Sequence, residues 1–371
     1  MKFNLNVKPL KDAMDLAIIS GNISKFFEKS TVIELTVSDD ILRLNTQATS
    51  LVSEATIKGY NEDKGVASAI VDCQLFKQLV STIDGNEVCL DFQDNFLVVQ
   101  YGKSKFNVPK LLSDEDEASL DRPALEEDLK GSLRTELHPD NWKYIQDHQL
   151  YAVAMSQIHK VYTRVWVDKD KGVLTGDPNL GFFTYQPESD LAGSCLVSST
   201  IVNLLSVLEE GSVVYSLDEN SYVVCMACDS FDFRSQFTVE HEEQNGMGSY
   251  DSDMIFAMVL DKANEPVKLS KSKLSSTVKQ AGLFASASDP LIYITASESG
   301  FKLENDNVNC VICKDASKLN YSIAFTVSDL ETTVSHMDDD DLYMSPIVKE
   351  GEVFGVRFSS GKLIALLGGV E

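Results

Sequence analysis

Two pairs of cysteines are the residues in this 371-residue sequence whose spacing could do chemistry. Cys225-Met-Ala-Cys228 and Cys310-Val-Ile-Cys313 both have the C-x-x-C spacing of a zinc site or a dithiol redox pair. Both lie inside strand-like runs, where positions i and i+3 point to opposite faces. Neither pair contains a residue that would turn the chain between its sulfurs. The expectation is small buried strand residues and no metal. Other catalytic signatures are missing. There are five His, and no H-E-x-x-H, G-x-x-x-x-G-K-[ST] or G-x-S-x-G pattern. Carboxylates are plentiful but come in runs such as Asp338–Asp341, the form of a solvated patch. These residues point to a protein that is not an enzyme and uses no cofactor.

Charge narrows the class further. The sequence carries 32 Lys+Arg against 57 Asp+Glu, a formal net charge of −25, with 43% hydrophobic residues. Such acidity favours solubility and opposes nonspecific adhesion to nucleic acid. The apolar content is too high for a disordered acidic chain. No apolar run is long enough to span a bilayer, and the opening MKFNLNVKPLKD has no apolar signal core. A folded, cytoplasmic protein of two or three domains is expected.

The positioning elements show in the periodicity. Residues 87–110 read as a hairpin, Val88–Phe92 and Phe96–Tyr101, followed by a third strand through Phe106 and Val108. The pattern returns at 213–237 and 343–367, which marks a threefold repeat. The first unit opens with a strand at Lys2–Asn6 and a helix that sets Leu10, Ala13, Met14, Ala17 and Ile18 on one stripe. Strands at Val32–Val37, Ile41–Asn45 and Ser50–Lys58 follow, then a helix capped by Asp72. Residues 111–136 are acidic and aperiodic, and read as a solvated linker. In the second unit a helix near Pro139 carries Trp142, Ile145 and Ala152 inward, strands cover 162–167, 172–175 and 181–186, and a helix covers 199–208. A hinge at 240–253 leads to the third unit, with helices at 271–284 and 327–337. The fold class is α+β: three repeated domains at 1–120, 121–250 and 251–371, each with two helices on antiparallel sheets. Open sheet edges have to pair, and a closed ring of repeats is the simplest way to pair them.

With these elements in order, the chain resembles the β sliding clamp of bacterial DNA polymerase III over essentially its full length. The likeness rests on Met1-Lys2-Phe3 before the first strand and helix, the Asp/Asn-turn hairpins, and Tyr101-Gly102-Lys103-Ser104-Lys105-Phe106. In that family a basic-Ser-basic-Phe strand lies at the subunit interface. The sequence departs from the family at Gly176-Asp177-Pro178-Asn179-Leu180-Gly181, where clamps typically carry Thr-Asp-Gly-His-Arg-Leu, and at its last residues, Leu366-Leu367-Gly368-Gly369-Val370-Glu371. A divergent or phage-encoded member is implied.

The resemblance implies a homodimeric six-domain ring around double-stranded DNA, a clamp loader, and a replicative polymerase tethered without sequence preference. It makes DNA-binding candidates of the helix lysines Lys8, Lys11, Lys77, Lys143, Lys271, Lys273 and Lys279, with Lys25 and Lys160 following helices. Lys103, Lys105 and Phe106 would meet Leu283 and Phe284 at the dimer interface. A partner-peptide groove would be lined by Tyr162, Pro178, Asn179, Leu180, Phe256, Ala257, Met258, Val353, Leu366, Leu367 and Val370. The alternative is a repeat scaffold that binds only proteins.

Overall fold

The computed structural model describes residues 1–21, 32–48, 50–111, 120–125, 127–153, 163–168, 170–177, 181–185, 191, 193–240, 259, 266–285, 290–305, 307–314 and 320–370. Element order begins β1 (Lys2–Asn6), α1 (Val7–Gly21), β2 (Val32–Ser38), β3 (Ile41–Ala48), β4 (Leu51–Lys58), β5 (Tyr60–Asn61), β6 (Val66–Asp72) and α2 (Cys73–Ser81). It continues β7 (Glu87–Phe92), β8 (Phe96–Tyr101), β9 (Ser104–Pro109), β10 (Leu133–Glu136), α3 (Pro139–His148), β11 (Arg164–Asp168), β12 (Gly172–Asp177) and β13 (Gly181–Tyr185). Next come β14 (Cys195–Ser198), α4 (Ser199–Leu205), β15 (Val213–Ser216), β16 (Ser221–Ala227), β17 (Phe231–Thr238), β18 (Val267–Ser270) and α5 (Lys271–Gly282). The chain closes with β19 (Leu291–Ser297), β20 (Gly300–Asn305), β21 (Val308–Cys313), β22 (Tyr321–Thr326), α6 (Val327–His336), β23 (Asp341–Lys349), β24 (Glu352–Ser360) and β25 (Leu363–Gly368). No helix among the described residues is long and apolar enough to cross a membrane.

Two compact units emerge, one of Met1–Lys143, Asp190–Gly193 and Thr200–His241, the other of Tyr144–Ser189, Ser194–Ser199 and Glu242–Glu371. The first holds a five-stranded sheet, β5-β1-β7-β8-β9, and an eight-stranded one, β10-β15-β16-β17-β4-β3-β2-β6. On α1 the predicted stripe of Leu10, Ala13, Met14, Ala17 and Ile18 is buried, packed over β3 and β4. Thr46 Oγ1 on β3 donates to the α1 carbonyl of Ala17 at 3.2 Å, which fixes that face of the sheet toward the helix. Helix α2 starts where Asp72 accepts from the Leu75 amide at 2.7 Å, the N-cap expected of an Asp before an apolar-periodic run. At the β4–β17 seam Arg234 bonds Glu54 at 2.6 Å and Ser53 meets Ser235 at 2.7 Å.

The second unit holds the eight-stranded sheet β14-β11-β12-β13-β25-β24-β23-β18 and the four-stranded sheet β21-β20-β19-β22. Its main core gathers Leu274, Val278 and Ala281 of α5 and Leu330 and Val334 of α6 with Phe325, Phe358, Leu363, Ala365 and Leu367. Ser270 and Thr326 cap α5 and α6 by accepting amides three residues on. Gly300, at φ 112°, turns β19 into β20 where a Cβ would strike the Cys313 carbonyl, so only glycine fits.

Several expectations change. The supposed linker contains β10, which pairs with β15 from Leu133↔Ser216 to Glu136↔Val213. It is an edge strand with mostly exposed side chains, so it carries no apolar alternation to find. The same segment is docked, with Gln47 donating to Asp121 at 2.8 Å, Ala124 N–H donating to Gln236 at 2.9 Å, and Leu129 buried. Ala152 is buried as expected but in a 3-10 turn, Leu150–Ala152, after α3 has ended at His148. Strands β6, β14 and β22 also escaped the periodicity reading, whereas the strand-like run around Cys310 and Cys313 is β21. Cys228 lies past the end of β16, and its thiol donates to the Phe231 carbonyl at 3.0 Å. All seven cysteines are free thiols.

Candidate nucleic-acid and partner surfaces

The helix lysines fall into two groups. Lys8, Lys143 and Lys273 are exposed. The others are engaged within the protein. Lys11 Nζ donates to the Ile83 carbonyl at 2.9 Å, Lys77 pairs with Asp15 at 3.0 Å, and Lys271 donates to the Met337 carbonyl just past α6. Lys279 stands 4.0 Å from Glu331, an exposed pair of small worth. Lys25 and Lys160 lie outside the described residues.

Of the α5 lysines, Lys271 and Lys279 border a groove of about 710 Å³ whose wall also includes Ser275, Ser276, Gln280 and Leu283. Asp340 closes its end by accepting the Ser272 amide at 2.8 Å, at the positive N-terminus of α5. That backbone bond, with the Ser272 and Ser270 hydroxyls, holds the Asp340 carboxyl below its usual range. On the first unit, Lys8 shares a pocket of about 710 Å³ with Asp12, Asp15, Glu209 and Asp229, so this face is acidic on balance.

The expected interface residues are exposed. Phe106 on β9 is 40% exposed and stacks on Tyr101, with ring centres 5.7 Å apart. It pairs with Val99, which is buried, so Phe106 lies on the same face of the sheet as Val99. Leu283 and Phe284 end α5 at 82% and 59% exposed, the least covered apolar pair on that helix. Lys103 and Lys105 project from the same hairpin edge as Phe106. Among the described residues, β9 pairs only with β8 and β21 only with β20.

Of the expected groove, Tyr162, Pro178, Asn179, Leu180, Phe256, Ala257 and Met258 lie outside the described residues. The rest divide. Leu366 joins Trp166, Leu174, Leu196 and Val259 in a cluster on one side of its sheet, with Ile347 and Ile364 beside it. Leu367 and Val353 belong to the helix-side core instead. Val370 is 43% exposed, and its amide donates to the Ala324 carbonyl at 2.9 Å. The residues that sequence reasoning missed are Trp166, Leu174 and Leu196. Alternation on β11 and β12 carries Trp166 and Leu174, while Leu196 lies on β14 opposite Trp166, and only the β14–β11–β12–β13–β25 register shows that the three share a face with Leu366.

The cysteine pairs gather no further ligands: among the described residues no three His, Cys, Asp or Glu side chains converge to hold a metal. Burial pushes the Cys73 and Cys195 thiols up to about 12, which leaves them inert.

No family model and no curated protein matches the chain. Solved structures do. A DNA polymerase III beta subunit from Thermotoga maritima superposes with TM-score 0.79 at 15% identity, covering 100% of this chain and 99% of that one. The DNA polymerase sliding clamp of Bacillus subtilis gives 0.75 at 13% identity, over 100% and 99%. A Helicobacter pylori beta clamp bound to a DNA ligase peptide gives 0.71 at 14% identity, over 100% of both chains. The fold is that of the bacterial sliding clamps.

Proposed function

We propose that this chain is a DNA sliding clamp. It closes as a homodimer around duplex DNA, tethers the replicative polymerase and other replication proteins, and carries out no reaction of its own. It is installed by a clamp loader in the cytoplasm of a bacterial cell or a phage-infected host, and it is divided into three domains, 1–120, 121–250 and 251–371.

The observation that carries this reading is the strand arithmetic. Each eight-stranded sheet joins four strands from one repeat to four from the next. The first repeat's other sheet ends on β9 and the third repeat's on β21. Adding β9 of one copy to β21 of a second completes the series, and the two-fold operation uses both open edges. Phe106 then meets Leu283 and Phe284, an apolar centre rimmed by Lys103 and Lys105. Exposed lysines such as Lys273 contact phosphates without reading bases. The apolar face around Leu366, Trp166 and Val259 takes the linear peptide of a partner, as apolar grooves flanked by strands do.

Topology supplies the test. Protein loaded on closed circular DNA stays bound and is released when a nuclease linearises the circle. Equal retention on both forms contradicts the clamp and favours an ordinary DNA-binding module, while no retention on either favours the protein scaffold.

A further inference from the structure

On the first unit's eight-stranded sheet, Leu42, Leu44 and Thr46 of β3 face α1, so Asn45 faces the other way. That far side carries a polar row. Glu34 on β2 pairs with Asn45, Asn45 with Glu54 on β4, and Glu54 with Arg234 on β17. The row is covered, with Asn45 0%, Glu54 3% and Glu34 5% exposed. The segment anchored by Asp121 and Ala124 crosses this same face.

The charges in this row do not balance. Arg234 Nη2 donates to Glu54 Oε1 at 2.6 Å and neutralises it. Arg43, two residues from Asn45, donates instead to Ser38 Oγ at 2.8 Å. Glu34 is left with one neutral donor, Asn45 Nδ2, at a long 3.3 Å. Asn45 Oδ1 is buried and has no donor at all. Turning the amide over would only set Oδ1 against Glu34 Oε2. Thr36 Oγ1, next along β2 on the same face, is also buried without a partner. A buried carboxylate without a counter-charge is costly, and an orphan acceptor beside it adds to the cost. The row lacks one positive centre that accepts oxygen ligands.

We propose that Glu34, Asn45 and Glu54, flanked by Thr36, bind a hard metal cation of the Ca²⁺ class. The donors are all oxygens, which selects a hard ion over zinc or copper. They project from adjacent strands about 4.8 Å apart, a spacing that suits a large ion with flexible coordination better than Mg²⁺. Of the three donors Glu54 also lines a cavity of about 990 Å³, beside Arg43, Thr56, Lys130, Asp232 and Arg234. Bound there, the ion ties β2 to the β4–β17 seam and pins the covering segment. The site stands on this geometry alone and is independent of the clamp reading.

The test uses the full chain, stripped with EGTA and held in choline chloride at constant ionic strength. Thermal unfolding is followed as CaCl₂ is added, with calorimetry for stoichiometry. The expected result is a saturable rise in midpoint and one ion per chain. Glu34→Gln abolishes the rise and leaves the midpoint at or above that of calcium-free wild type, because the new amide donates to Asn45 Oδ1. Asn45→Asp lowers the calcium-free midpoint and tightens calcium binding. No response of the wild type beyond the choline control overturns the proposal. A response to Mg²⁺ or Na⁺ with none to Ca²⁺ overturns the choice of ion.

Discussion

Leu366 and Leu367 are neighbours on β25 but face opposite sides of its sheet. Leu366 packs with Trp166, Leu174, Leu196 and Val259, and Leu367 lies fully buried in the core beneath α5 and α6. Both are buried, Leu366 at 4% and Leu367 at 0% exposed, so either truncation lowers stability and only Leu366→Ala is expected to change binding as well. Leu367→Ala leaves a cavity in the main core and costs about 2–5 kcal/mol, read as a lower urea midpoint. Leu366→Ala removes an anchor from the proposed peptide face, and such anchors are worth about 2 kcal/mol of binding. Calorimetry with a polymerase-derived peptide checks this. An unchanged affinity for Leu366→Ala would take that face out of the partner site.

The open edges predict the oligomer. Replacing Leu283 and Phe284 together with Ala removes apolar surface that is exposed in the single chain, so the fold is unaffected while the dimer dissociates. Sedimentation at low protein concentration should show a folded monomer for the double variant and a dimer for wild type. Phe106→Ala acts on the other half of the same contact and should weaken the dimer in the same direction. A persistent dimer in both variants would move the interface away from β9 and α5.

Asp340 predicts an acid-sensitive joint. Its carboxylate accepts the Ser272 amide, and its pKa lies below the ordinary 3.8 chiefly because of that bond. A depressed carboxylate stabilises the fold fully above its unfolded pKa, and the contribution is lost as pH falls through the folded value. Wild type should thus lose this contribution only below about pH 3.8. Asp340→Asn, which cannot ionise, should show a shallower loss of midpoint over the same acid window and little change at pH 7. Identical acid limbs for the two proteins would show that the cap contributes nothing.

Much of this architecture can be read along the chain because its helices and central strands carry one clean apolar period each. The stripe on α1 and the hairpin β7–β8 are of that kind. What escaped was information that lies between strands. β10 is an exposed edge whose pairing with β15 no alternation announces. The split of Leu366 from Leu367 follows from period two, yet their separate partners come from a register with β13 that joins residues 182 and 366. Arg234 and Glu54 form an ion pair across 180 residues of sequence. A lysine on a helix likewise looks the same in sequence whether it faces solvent, as Lys273 does, or caps a neighbouring helix, as Lys271 does.

Lys271 and Lys273 accordingly make a contrast on a single turn of α5. Lys271 reaches the Met337 carbonyl just beyond α6, where a cation also meets the negative end of that helix. Lys273 contributes its amide to the Ser270 cap at 3.2 Å, while its ammonium stays in solvent. Lys271→Ala should cost about 1 kcal/mol of stability, since a charge-assisted bond to a carbonyl is lost. Lys273→Glu should leave the urea midpoint unchanged. On DNA the order reverses if Lys273 contacts phosphate. Charge reversal there should shorten the lifetime on circular DNA and lower the salt dependence of binding by about one phosphate contact. Sequence context should not matter, because a phosphate contact reads no bases. Retention on circular DNA across a salt series, measured beside urea unfolding for both variants, decides the matter. If Lys273→Glu slides and survives salt as wild type does, α5 does not face the DNA, and the basic residues that do must be sought on α1 and α3 at Lys8 and Lys143.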